Sequence, residues 1–123
     1  MTLTGFAVGA AAAYFFGFGA GFVVRPAFAD QLGLAWTNAA GKTEVRCYYG
    51  AVSWALSGFL VYLLTQHLDV EALTGVCILA SCVFVMRLIG TTIDHAWDER
   101  YTKTAIPIEA LFVIATVAIR VVA

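Results

Sequence analysis

Thr2 to Val24 reads TLTGFAVGAAAAYFFGFGAGFVV, without one charged side chain. At ~1.5 Å per residue this stretch is long enough to cross the roughly 30 Å hydrocarbon core of a bilayer. Ala27-Phe28-Ala29 ahead of Asp30 resembles a small-residue cleavage site, as after a secretory leader. The N-terminus has no Lys or Arg, however, and the apolar run is longer than a leader's core. The expectation is therefore a retained membrane span.

The rest of the chain agrees. Apolar residues make up 62% of the 123 and charged residues 12%, against about half and a quarter in soluble domains. A soluble globule of this size could not hide that much apolar surface. A second uncharged run extends from Cys47 to Gln66, and a third from Ala72 to Met86 that continues through Arg87 to Ile93. A fourth begins near Thr104 and is interrupted by Glu109. The fold predicted is an all-α integral membrane bundle of four transmembrane helices. Residues 1–123 form one membrane domain, with spans at about 2–24, 47–66, 72–93 and 104–122 and an interfacial loop at 25–46. In that loop Pro26 to about Leu34 reads as a short helix at headgroup level, because Pro fixes φ at a helix start and Phe28, Leu32 and Trp36 recur at spacing four.

Several function classes drop out. A net charge of −1 gives no field for nucleic acid. Cys47, Cys77 and Cys82 fall in no CxxC or metal-ligand spacing, and a disulfide framework is excluded with them. No nucleophile-and-base pair, phosphate loop or HExxH occurs, so catalysis and cofactor binding have no positive support. Asp94-His95 with Asp98-Glu99 offers metal-ligand types, yet at a membrane surface that pattern more often marks a solvated helix end.

Orientation follows from the basic residues. Arg25, Lys42 and Arg46 lie in the first loop and Arg100 and Lys103 in the third, whereas the opposite side has only Arg120. The positive-inside rule then predicts loops 25–46 and 94–103 in the cytoplasm and both termini outside. Trp36, Tyr48, Tyr49, Trp97 and Tyr101 fall at the cytoplasmic interface in that arrangement, where amphipathic rings concentrate.

Gly5, Gly9, Ala13, Gly17 and Gly21 recur at every fourth residue of the first span, and Gly50 and Gly58 flank Trp54 in the second. In lipid the hydrophobic force between helices is small, so close backbone approach at small residues does more of the packing. These seven positions are the expected helix-packing interface, used either inside the bundle or against another chain.

The charges inside the spans are the other informative group, each costing roughly 2.5–3.5 kcal/mol at mid-bilayer on the insertion scale. Seven residues at ~100° each return Arg87 and Asp94 to one helix face, with Gly90 between them. Glu109 lies one to two turns into the fourth span, and Pro107 is expected in its first turn, where a missing N–H does no harm. With the helices at one height, Glu44, Arg46, Tyr49, Arg87, Asp94 and Glu109 share the cytoplasmic third as a polar cluster. Two readings stand. The cluster is an internal salt-bridge network fixing helix register, with Arg87 on Glu109 or Glu44, or it is a pocket for an anionic headgroup, a small amphiphile or a proton.

Glu44-Val45-Arg46-Cys47-Tyr48-Tyr49-Gly50, followed by Arg87 and Asp94, resembles the pattern of a family of small bacterial four-helix membrane proteins catalogued as a domain of unknown function, number four-three-four-five. That pattern is approximately Glu-x-Arg-x-x-Tyr-Gly-Gly opening span two, then an Arg and an Asp late in span three. The chain departs from it at Ala51, where a second Gly is usual, and at His95, where Gly often follows the Asp. The resemblance implies a bacterial inner-membrane location and no assigned activity. The function expected is a non-catalytic accessory or structural subunit beside a larger membrane complex, the alternative being a lipid- or small-molecule-binding protein or proton-coupled carrier. The partners implied are membrane lipid and either such a complex or a second copy of the chain.

Overall fold

The computed structural model describes residues 1–123 and is all-α. Its long helices are α1 (Leu3–Val24), α2 (Ala39–Thr65), α3 (Asp69–Ile93) and α4 (Arg100–Val122), each long and apolar enough to cross a membrane. This is the pattern of a multi-pass membrane protein. A 3-10 helix, Pro26–Leu32, connects α1 to α2, with Pro26 in its first turn and Gly33 closing it at φ 75°.

The helices overrun the apolar stretches at their N-terminal ends. α2 starts at Ala39, where the side chain of Asn38 accepts a hydrogen bond from the Gly41 N–H at 3.0 Å, an N-cap that satisfies one of the free donors of the first turn. Lys42, Glu44 and Arg46, expected in the loop, are therefore helical. Likewise α4 starts at Arg100, which places Pro107 inside the helix rather than in its first turn. Hydropathy marks the membrane-embedded part of a helix, and polar turns continue beyond it, with a side-chain cap at α2 and without one at α3 and α4.

The chain divides into two compact units, Val8–His67 and Met1–Ala7 with Leu68–Ala123. In the first unit α1 and α2 run antiparallel: Ala12 meets Ser57, Phe16 meets Trp54, Gly19 meets Gly50 and Phe22 meets Tyr49. Polar side chains of α2 make this contact specific. Ser57 Oγ donates to the Ala12 carbonyl at 2.7 Å, and Trp54 Nε1 donates to the Phe16 carbonyl at 3.1 Å. The Trp54 ring also stacks on Phe16.

Within α2, Arg46–Ala51 forms a turn of π-helix, closed by the Val52 N–H on the Cys47 carbonyl. Ser53 Oγ donates to the Tyr49 carbonyl at 2.8 Å, where an α-helix would receive the Ser53 N–H. Arg46, Tyr49 and Gly50 lie on this wide turn. π-turns of this kind recur at functional sites.

In the second unit α3 and α4 are antiparallel, with Thr74 beside Arg120 and Arg87 beside Glu109. The beginning of α1 joins them. Thr2 Oγ1 accepts from the Gly5 N–H at 2.9 Å as the N-cap of α1, and donates to Asp69 Oδ2 at 2.8 Å. A carboxylate beside helix N-termini is favourably placed against their dipoles.

Candidate functional site

Arg87 is held late in α3 and Glu109 in the third turn of α4. Arg87 Nε donates to Glu109 Oε2 at 2.6 Å, and the two side chains keep 24% and 23% of their exposure. The guanidinium carbon also lies 5.2 Å from the centre of the Tyr101 ring, a cation–π arrangement that adds stabilisation where water is scarce. The cation thus has a carboxylate and an aromatic face, both from α4. No buried side-chain nitrogen or oxygen lacks a hydrogen-bond partner. Chemically the pair is closed on itself, while a quarter of each side chain can still be reached from outside.

Asp94, the remaining member of the expected cluster in this unit, lies at the end of α3. Asp94 caps the C-terminus of α3 through its backbone N–H, with an exposed side chain and no ion pair. The next residue, His95, takes the left-handed conformation at φ 53°, and the Ala96 N–H reaches back to the Thr91 carbonyl at 3.0 Å. This is a Schellman ending, a position that favours glycine. His67 ends α2 at φ 58° in the same left-handed region.

Glu44, Arg46 and Tyr49 belong to the α1–α2 unit. Arg46 Nε donates to the Val23 carbonyl at 3.2 Å. That carbonyl is one of the four at the end of α1 left without an intrahelical donor, so Arg46 satisfies it and sets a cation against the negative helix end. Tyr49 packs on Phe22 at 5.4 Å between ring centres, and Glu44 is exposed. Arg46 and Tyr49 therefore act on α1 as packing and capping groups.

The small-residue positions divide in the same way. Closest approach in the hairpin is at Gly19 and Gly50: a Cβ on Gly19 would lie 2.7 Å from the Gly50 carbonyl oxygen, and one on Gly50 would lie 2.5 Å from Val23 Cγ2. Gly19 is outside the every-fourth-residue row. Within that row Gly5 is buried beside Thr2 and Met1, and Gly21 lies against Phe28. A side chain added at Gly9, Gly17 or Gly58 would meet nothing within 4 Å. The reason is helical geometry, since a step of four residues advances ~400° and the row drifts ~40° per step. Thr4, Val8, Ala11, Ala12, Gly19 and Phe22 are buried on one arc, and Ala13 and Gly17 point nearly the opposite way.

Tyr101, Thr74 and Arg120 were not singled out as site residues by sequence reasoning. In the sequence Tyr101 reads only as an interfacial aromatic next to the start of the fourth span, and Arg120 as a charge inside an apolar run. Comparison of the chain with protein-family models, with curated proteins and with solved structures returns no match.

Proposed function

We propose that this chain is a non-catalytic accessory or structural subunit of a bacterial inner membrane, packed beside a larger membrane complex. The observation that carries this reading is the bare stretch of α1 around Gly9, Ala13 and Gly17, which the chain itself leaves uncovered at the two glycines. Small residues let another helix's backbone come close, and in lipid such contact supplies much of the association energy. The polar groups support it: Arg87 is answered by Glu109 and Arg46 by a helix end, which are structural uses of charge. The resemblance of residues 44–50, Arg87 and Asp94 to a bacterial membrane family supports the location. The excess of basic residues in segments 25–46 and 94–103 supports a cytoplasmic position for both, with the termini outside.

Gentle extraction of the native membrane followed by native mass spectrometry tests the proposal. The expected result is a stable heteromeric mass that Gly9→Leu or Gly17→Leu dissociates. A lone chain or a homodimer carrying a co-purified small molecule would overturn it and favour the second reading, a ligand site at Arg87 and Glu109. The residual exposure of that pair is what favours this alternative. Arg87→Ala would then abolish binding while the chain still inserts.

A further inference from the structure

Two arginines, Arg87 and Arg120, lie within the apolar stretches of α3 and α4, both partly buried. Their charges are treated differently. Arg87 has Glu109, whereas no carboxylate lies within 4 Å of Arg120. Arg120 Nε donates instead to Thr74 Oγ1 at 2.6 Å, and that hydroxyl in turn donates a hydrogen bond to the Val70 carbonyl at 2.9 Å. At the same end of the unit the Asp69 carboxylate is occupied by the Thr2 hydroxyl. A hydroxyl fixes the guanidinium in place without neutralising it.

The level of this arginine indicates where the missing anion comes from. Arg120 is two residues before the end of α4 and Thr74 five residues into α3, about 3 and 7.5 Å from the respective helix ends. In a bilayer crossed end to end by α3 and α4, that level falls near the boundary between acyl chains and headgroups, to which long basic side chains extend. One of the five guanidinium N–H donors is used on Thr74, and the planar fork of the rest matches two oxygens of a phosphate. We propose that Arg120, oriented by Thr74, binds a phosphate oxyanion, that of a phospholipid headgroup lodged at this end of α3 and α4.

The test uses the full chain in an uncharged detergent, with arginine side chains labelled by nitrogen-15. The Arg120 Nε–H resonance, assigned by its loss in Arg120→Gln, is followed during addition of a short-chain phosphatidylglycerol and, separately, of inorganic phosphate. A saturable shift with the lipid, and about tenfold weaker binding of inorganic phosphate, is the expected result. Equal response to both would retain the phosphate site and make soluble phosphate its ligand. By native mass spectrometry, retention of one phosphatidylglycerol should fall about tenfold in Arg120→Gln and less in Thr74→Val, which keeps the charge but releases its anchor. Unchanged retention in Arg120→Gln, or no shift with either phosphate source, would overturn the proposal. If Arg120→Gln does not fold, its place is taken by Arg120→Lys, which keeps the charge and loses the fork.

Discussion

Glu109 is worth most to Arg87 where water is least able to replace it. Removing one partner of such a pair leaves an uncompensated charge, whereas removing both does not. Arg87→Met and Glu109→Leu alone should each destabilise the α3–α4 unit by about 1–3 kcal/mol, less than for a fully buried pair because a quarter of each side chain is exposed. The Arg87→Met/Glu109→Leu double variant should recover most of that loss. Unfolding in detergent reads all three, and a double variant as unstable as the two single losses combined would contradict the pairing account. This ion pair was legible in the sequence, because opposite charges at similar depth in separate apolar runs have strong reason to meet. The role of Arg46 was not: a backbone carbonyl at a helix end has no letter of its own, so nothing in the sequence marks Val23 as its acceptor.

Between elements, the α1–α2 seam depends on which glycine faces the partner. Gly19→Ala puts a methyl group 2.7 Å from a backbone oxygen that cannot swing aside, and should cost about 1–3 kcal/mol or separate the helices. Gly17→Ala, with open space around it, should leave the isolated chain unchanged or slightly stabilise it through better helix propensity. Disulfide trapping between cysteines placed at Ala12 and Ser57 would report the seam, and equal sensitivity at Gly17 and Gly19 would contradict this register. The spacing of the glycines drew attention to the every-fourth-residue row, but spacing cannot give the rotation of a helix about its own axis. That rotation is fixed by non-local partners, here Trp54, Ser57 and Gly50. The π turn at Arg46–Ala51 was equally hidden, since it leaves no periodic signature. Asn38, by contrast, carried a readable cap signal that the charges following it obscured. In α4, Pro107 denies the Lys103 carbonyl its usual donor and weakens the helix in the turn that leads into Glu109, two residues on.

At the scale of the molecule, number and length of the apolar helices were the most legible features, because a bilayer imposes one thickness on every span. The side on which each end emerges is a separate matter and depends on five basic residues against one. Fusion of a periplasm-dependent phosphatase to the C-terminus should give an active enzyme, and fusion within residues 94–99 an inactive one. The opposite pattern would reverse the topology. The ion pair between α3 and α4 also has a consequence in time. During synthesis α3 emerges first, carrying Arg87, and its carboxylate partner does not exist until the chain has been extended to residue 109. An isolated arginine costs roughly 2.5–3.5 kcal/mol at the centre of a span and less at the depth of Arg87, six residues before the end of α3. Its pairing with Glu109 therefore favours insertion of α3 together with α4. The short segment between the two helices keeps the interval between their emergence brief. The last two spans are in this sense best inserted together, and a chain that stops at Glu99 should hold its third helix in the bilayer less firmly than the full chain does.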